Sequence, residues 1–323
     1  MTGPCPEPLA PSAQLLLGAP RSPNLVVVRA GKHSLHPGWI AGSGKADFDL
    51  VVVAYEREAP MAPAATQNYY FPGRKFEGYE ALFRCRPDLL DNYEYIAFFD
   101  DDLEIAKADI NRLFALGRRH RLDLFQPALS WDSHFSYAAT LTSNRFRLRY
   151  TNLVEMMCPV FSVAYLRRAL PLFGLGYELG IDLIWSRVTD DPWFRIAIID
   201  DVVVRHARPV GSSKLQHAFG PDGGYDDQIP LVLEKFETTF RGPVAYAAID
   251  RRGKAILSRF KIACASLGLL AAWRRSPMRT YHFIRFVTDY TRHCLSRPIN
   301  LQRIDIGKAQ PPVADASLLG RSR

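Results

Sequence analysis

Three consecutive carboxylates, Asp100, Asp101 and Asp102, close the apolar run Tyr95-Ile-Ala-Phe-Phe99. That run has the length and aromatic character of a buried strand. Side chains alternate along a strand, so Asp100 and Asp102 face one side and Asp101 the other. Two carboxylates side by side repel unless a cation or a shared proton lies between them. At the carboxyl end of a central strand in an open α/β sheet, the pair calls for a divalent metal. The alternative is a solvated acidic turn.

Other residues extend this chemistry. His206 closes the run Asp201-Val-Val-Val-Arg-His206, at a strand end where it either joins such a site or sits as an ordinary histidine. Two carboxylates with one imidazole suit manganese or magnesium, the imidazole favouring manganese. Lys75, with Arg74, precedes a helix and either meets a diphosphate or forms a solvated basic turn. Asp182 lies in the apolar, glycine-opened stretch Gly176-Tyr-Glu-Leu-Gly-Ile-Asp-Leu-Ile-Trp185. Burial there would raise its pKa and suit it to general-base work, whereas a helix N-cap is the structural alternative. Glu155, between Val154 and Met156, either binds a sugar hydroxyl or points outward. Trp131, in the aromatic loop Ser130 to Tyr137, is read with Glu155 as a substrate contact. The chain has no Walker loop, G-x-G-x-x-G, G-x-S-x-G or H-E-x-x-H.

The elements that must position these residues are also readable. Asn24 to Val28 and Asp49 to Tyr55 are β-branched runs that predict buried strands, and Leu122 to Leu129 predicts another. Leu153 to Ser162, Arg195 to Ile199 and Val202 to Val204 add further strands. Near-continuous apolar strands joined by longer connections predict an α/β protein with a mostly parallel, Rossmann-like sheet and helices on both faces. Helices are expected over Tyr79 to Arg86, Ala108 to His120, Val163 to Phe173, Tyr177 to Arg187, Ile229 to Phe240 and Ala255 to Trp273. Residues 1–23 read as a disordered lead-in, 24–224 as the main domain and 225–323 as a helical, basic extension.

Composition limits the alternatives. With 323 residues, 48% hydrophobic and 23% charged, the chain has the balance of an ordinary globular protein. The net charge of +8 is concentrated late: Arg251 to Arg303 holds twelve Lys or Arg against one acid, Asp289. Residues 254–279 therefore either lie on an anionic membrane or pack on the domain with their arginines in solvent. No nucleic-acid motif accompanies the charge, and no nucleic acid is expected. Five scattered cysteines predict free thiols and a reducing, cytoplasmic setting, peripheral on the membrane if the basic segment binds it. The N-terminus lacks the apolar core of a secretory signal, and no apolar run is long enough to span a bilayer.

Taken in order, several motifs resemble one family. They are Gly73-Arg-Lys75; Pro87-Asp-Leu-Leu-Asp-Asn-Tyr-Glu-Tyr95 leading into the Asp triad; Phe125-Gln-Pro-Ala128; and Tyr150-Thr-Asn-Leu-Val-Glu-Met-Met-Cys-Pro-Val-Phe161. Gly180-Ile-Asp182 and Val204-Arg-His-Ala-Arg-Pro-Val-Gly211 complete the set. The segment resembles the domain of unknown function 707 family, which is similar to glycosyltransferases of the A fold. The resemblance implies a glycosyltransferase A-like sheet, a nucleotide-sugar donor and a glycan or other hydroxyl acceptor. It places Asp100 near the donor ribose, Asp102 and His206 on a manganese or magnesium ion, and Asp182 as the acceptor-activating base. One departure is Glu178-Leu179, where the family usually has a tryptophan. The functional expectation is metal-dependent sugar transfer. The alternatives are phosphoryl transfer or hydrolysis at the same triad, or a non-catalytic nucleotide-sugar or glycan binder.

Overall fold

A computed structural model describes residues 3–9, 22–62, 67–209 and 228–309. Its strands are β1 (Glu7–Pro8), β2 (Asn24–Ala30), β3 (Asp49–Ala54), β4 (Gln67–Tyr70), β5 (Tyr95–Asp100) and β6 (Leu103–Glu104). They continue with β7 (Leu124–Leu129), β8 (Phe146–Thr151), β9 (Val160–Ser162), β10 (Ile196–His206), β11 (Ala245–Asp250) and β12 (Ala255–Ile256). The helices are α1 (His36–Ile40), α2 (Lys75–Cys85), α3 (Leu89–Asn92), α4 (Lys107–Arg119) and α5 (Val163–Ala169). After them come α6 (Gln228–Lys235), α7 (Arg259–Ser266) and α8 (Thr280–Ser296).

The sheet runs β1-β4-β3-β2-β5-β9-β7-β10-β8-β11-β12, and β6 pairs with the end of β10. Strands β2 to β5 are mutually parallel, and β7 is parallel to β10. Strand β9 runs against both β5 and β7, while β8 runs against β10 and β11. This is the expected α/β architecture, a Rossmann-like sheet with helices on both faces.

Alternation along the central strands explains the layers. Val26, Val28, Leu50, Val52, Ala97 and Phe99 enter one core cluster, shared with residues of α4, α7 and α8. Leu25, Val27, Val51, Val53, Ile96 and Phe98 enter the other, shared with residues of α2, α5 and α6. Strand β2 is buried along its whole length, so its β-branched side chains have core on both sides. Each such side chain contributes about 1.5–3 kcal/mol when fully buried.

The extension at 225–323 is mostly helical, but it is not only helical. Strand β11 continues the main sheet by pairing with β8, and α8 is fixed to that sheet through Arg149. Arg149 is 1% exposed, and its guanidinium makes two bonds to Asp200, at 2.8 and 2.9 Å. It also donates to the carbonyls of Ala139 and Leu141 and to the Tyr290 hydroxyl. Asp200 occupies the register shift that interrupts the β7–β10 ladder between Ile199 and Val203.

Several expectations are corrected. The helix expected over Ala255 to Trp273 is β12, then α7, then a 3-10 segment over Leu267–Ala272. Tyr177 to Arg187 is two short 3-10 turns, because Gly176 and Gly180 adopt positive φ (79° and 87°) and break continuous helix. Only Val160–Ser162 of the strand expected at Leu153 to Ser162 joins the sheet. Part of the expected lead-in is ordered: β1 pairs with β4, and Cys5 is disulfide-bonded to Cys85. Arg84 donates to the Gly3 and Pro4 carbonyls, which holds that segment at the end of α2. This bond removes the basis for reading a reducing compartment from the cysteines, although Cys158, Cys264 and Cys294 are free. The remainder of the lead-in, 1–2 and 10–21, and the end of the last motif, Val210-Gly211, lie outside the described residues. Among the described residues no helix is long and apolar enough to cross a membrane.

Candidate active site

The parallel strands β2, β3 and β5 and the end of β10 deliver their carboxyl termini to one edge of the sheet. Asp100 ends β5, and the chain then turns into β6, which pairs antiparallel with the end of β10 so that His206 stands opposite Leu103. The Ala207 amide donates to the Asp102 carbonyl at 3.0 Å and locks this register. Two segments about a hundred residues apart in sequence are thereby brought together. Asp100, Asp102 and His206 each offer a ligand atom, and all three atoms lie within 4.8 Å of one another.

The donor set fits a divalent cation. The His206 Nδ1 is 3.0 Å from the His134 carbonyl, which can only accept, so Nδ1 carries the hydrogen. The Nε2 lone pair is therefore left facing Asp102 Oδ1 at 3.3 Å. Two lone pairs at that distance require a proton or a cation between them. Burial alone would depress the His206 pKa, but the hydrogen bond and charge of Asp102 raise it. Burial pushes Asp100 upward, and the ammonium of Lys75 only partly opposes this.

Asp101 does separate work, from the turn that follows β5. Its Oδ2 accepts from the Gly31 amide at 2.8 Å and the Tyr55 hydroxyl at 3.3 Å, and Arg208 lies 3.4 Å from Oδ1. It ties the loop after β2 to β3 and to the segment after β10.

Lys75 begins α2 and pairs with Asp100, also donating to the Met156 carbonyl at 2.6 Å. Glu178 accepts from the Lys75 and Phe76 amides at 3.0 and 3.1 Å, so it caps α2 from a distant loop. Glu178 thus fixes the lysine beside the carboxylates. Burial raises the Glu178 pKa to about 7 despite those amide bonds.

Asp182 and Glu155 form a second, buried acidic pair. Asp182 is 7% exposed, and burial raises its pKa to about 6 against the pull of nearby amides and Lys75. Glu155 is 2% exposed, and its carboxylate makes no hydrogen bond of good geometry, with the Thr140 hydroxyl and the Ser136 amide as its nearest donors. The nearby Thr140 hydroxyl donates to the Tyr137 carbonyl instead. Burial, then the charge of Asp182, raises the Glu155 pKa to about 8. Glu155 therefore points inward.

This raised pKa has a testable consequence for stability. In the unfolded chain Glu155 ionises in the ordinary carboxylate range, whereas in the folded chain it holds its proton up to about 8. Its contribution to stability is complete in acid and is lost as pH rises through about 8. The Glu155→Gln variant is expected to match the parent at pH 4 and exceed it at pH 9 by an amount on the order of a few kcal/mol. Denaturant titrations of metal-free protein at both pH values check this; equal stability at pH 9 refutes it.

Two further expected contacts, Arg74 and Trp131, have partners outside the carboxylate cluster. The Arg74 guanidinium pairs with Glu77 of its own helix, at 2.9 and 2.5 Å. The Trp131 indole donates to the Thr142 carbonyl at 2.8 Å, and its ring lies under Arg275. Neither contact involves Asp100, Asp102, Asp182 or Glu155. Sequence reasoning missed Arg29, which is 4% exposed, stands beside Asp100 in the β2–β5 ladder and donates to the Gly73 carbonyl at 2.7 Å. Its signal was a charge near the end of an otherwise apolar strand, the same signal that marked Asp100.

The Asp-x-Asp pair and the histidine thus meet at the carboxyl edge of a helix-flanked α/β sheet. Residues 81–152, which include the Asp triad, match the family model described as "Protein of unknown function (DUF707)". Among solved structures, the chain is similar to S. aureus TarS 1-349 in complex with UDP-GlcNAc, at 10% identity and a TM-score of 0.37. That alignment covers 85% of this chain and 73% of the other. A second similar structure is A197 from STIV, at 13% identity and a TM-score of 0.33, covering 73% of this chain and 93% of that one. No curated protein matches the sequence.

Proposed function

We propose that this protein is a metal-dependent glycosyltransferase that moves a sugar from a nucleotide-sugar donor to an acceptor hydroxyl. The observation that carries this reading is the convergence of Asp100, Asp102 and His206 ligand atoms within 4.8 Å at the strand ends. A manganese or magnesium ion held there would offset charge on the leaving diphosphate. Lys75, fixed by the Glu178 cap, supplies a further positive charge beside those carboxylates. Asp182 accepts the proton of the acceptor hydroxyl, and its pKa of about 6 leaves it ionised at neutral pH. Glu155, neutral under the same conditions, hydrogen-bonds a sugar hydroxyl. The test is a thermal-shift screen of nucleotide sugars with and without manganese, followed by assay of the released nucleotide. Stabilisation that needs both components, with release of nucleoside diphosphate, is expected. Release of nucleoside monophosphate would indicate hydrolysis at the diphosphate, and absence of any joint stabilisation overturns the reading.

We further infer that the C-terminal face rests on an anionic membrane. Leu257, Phe260 and Tyr281 are 68%, 67% and 72% exposed, with Leu267, Trp273 and Ile284 also exposed. They lie among Lys254, Lys261, Arg274, Arg275 and Arg279, and each basic residue near an anionic surface contributes about 1 kcal/mol. The full-length protein is expected to co-sediment with phosphatidylserine vesicles and not with neutral ones, and the Leu257→Glu, Phe260→Glu variant to remain in solution. Equal sedimentation of the variant refutes the inference.

A further inference from the structure

The metal centre and Asp182 do not account for a cavity of about 570 Å³ bounded by the 3-10 turn that carries Asp182, α6 and α8. Its walls are apolar: Leu183 follows Asp182 in the same turn, Leu233 comes from α6, and Phe286 comes from α8. Tyr137 and Phe240 close another side, their rings 6.2 Å apart and edge to face. The rim is cationic. Arg241, Arg285 and Arg297 border the cavity with one lining acid, Asp289, which pairs with Arg292 at 3.0 Å and lies 3.8 Å from Arg285. The cavity-lining His293 has a buried Nδ1 with no hydrogen-bond partner.

The cavity is adjacent to the reacting groups. Leu183 places its wall one residue from Asp182. Tyr137, which also lines the cavity, has its phenol pKa pushed upward by burial and then by the charges of Asp182 and Glu155. Apolar walls with a few convergent polar groups are the usual form of a small-molecule site.

We propose that this cavity is the acceptor site, and that it takes an acceptor with an apolar body and an anionic group. Resting on the sugar-transfer reading, this assignment sets the acceptor's body between Phe240 and Phe286, its charge at the arginine rim and its hydroxyl towards Asp182. Both features are required of the ligand. A neutral amphiphile leaves the arginines unmatched, and a small inorganic anion leaves the apolar walls uncovered.

The test uses octyl sulfate as probe, below its micellar concentration, on the full-length protein. Calorimetry is expected to show one saturable site, with octyl glucoside and inorganic sulfate binding at least about tenfold more weakly. Leu233→Trp, which fills the cavity, and the Arg241→Gln, Arg297→Gln variant should each weaken octyl sulfate by about tenfold while melting with the parent. Bound octyl sulfate should also protect Asp182 from carbodiimide labelling, read by peptide mass spectrometry. Absence of saturable binding, parent-like binding by Leu233→Trp, or unprotected Asp182 each overturns the assignment. If sugar transfer itself is the wrong reading, manganese-dependent nucleoside diphosphate binding fails while these probe results stand.

Discussion

The Asp102→Asn variant is expected to lose divalent-metal binding, and nucleoside diphosphate binding with it. Asp102 Oδ1 lies against the lone pair of His206 Nε2, and the amide that replaces it removes the negative charge that holds a cation there. Loss of groups that merely orient metal ligands costs roughly 10–100-fold in affinity, so losing a ligand should exceed about a hundredfold. Without the cation, diphosphate oxygens would meet the carboxylates of Asp100 and Asp102 unscreened. His206→Ala should behave alike. Asp101→Asn should keep metal binding and lose about 1–3 kcal/mol of stability, because its carboxylate holds the Gly31 amide and faces Arg208. Calorimetric titration of manganese, then of nucleoside diphosphate, separates the three. Parent-like affinity in Asp102→Asn removes the metal site from the mechanism.

Asp182→Asn should bind metal and donor as the parent does and lower turnover by about two to four orders of magnitude, the usual range for a general base. The pH profile gives the independent signature. A base must be unprotonated to act, so parent turnover should rise as pH climbs through about 6 and level above it. The variant should lack that limb. Near-parent turnover, or a variant profile with the same limb, assigns the base elsewhere. A misfolded variant would show a structural role for the carboxylate.

The strands that build the site were legible because their apolar runs are continuous. Asn24 to Val28, Asp49 to Tyr55 and Tyr95 to Phe99 have core on both sides, and no helix pattern competes with them. Strand alternation gave the division between Asp100 and Asp102 on one side and Asp101 on the other. The meeting of Asp102 with His206 was legible only as two strand ends, since the β6–β10 pairing that joins them is a long-range event. Local patterns misled where backbone hydrogen bonds left the ladder. Leu153 to Cys158 is apolar enough for a strand, yet the Val154 carbonyl accepts from Trp185 and the Glu155 amide donates to Gln126. The chain there forms a loop that carries Glu155 into the site. Helix α8 was missed although Phe283, Val287, Tyr290 and Cys294 recur at helical spacing and are buried; the basic residues between them masked the pattern. The Cys5–Cys85 bond spans 80 residues, and no local signal announces it.

Arg149 bears on how this protein can be shortened. A guanidinium has five N–H donors, and here they are divided among Asp200, two backbone carbonyls and the Tyr290 hydroxyl of α8. A cut placed before α8 would leave a cation and its carboxylate at a newly wetted surface, with one donor bereft of its hydroxyl. The helices after residue 258 are consequently a wall of the sheet's core. An expression boundary drawn where the family-like motifs end would divide a single folding unit.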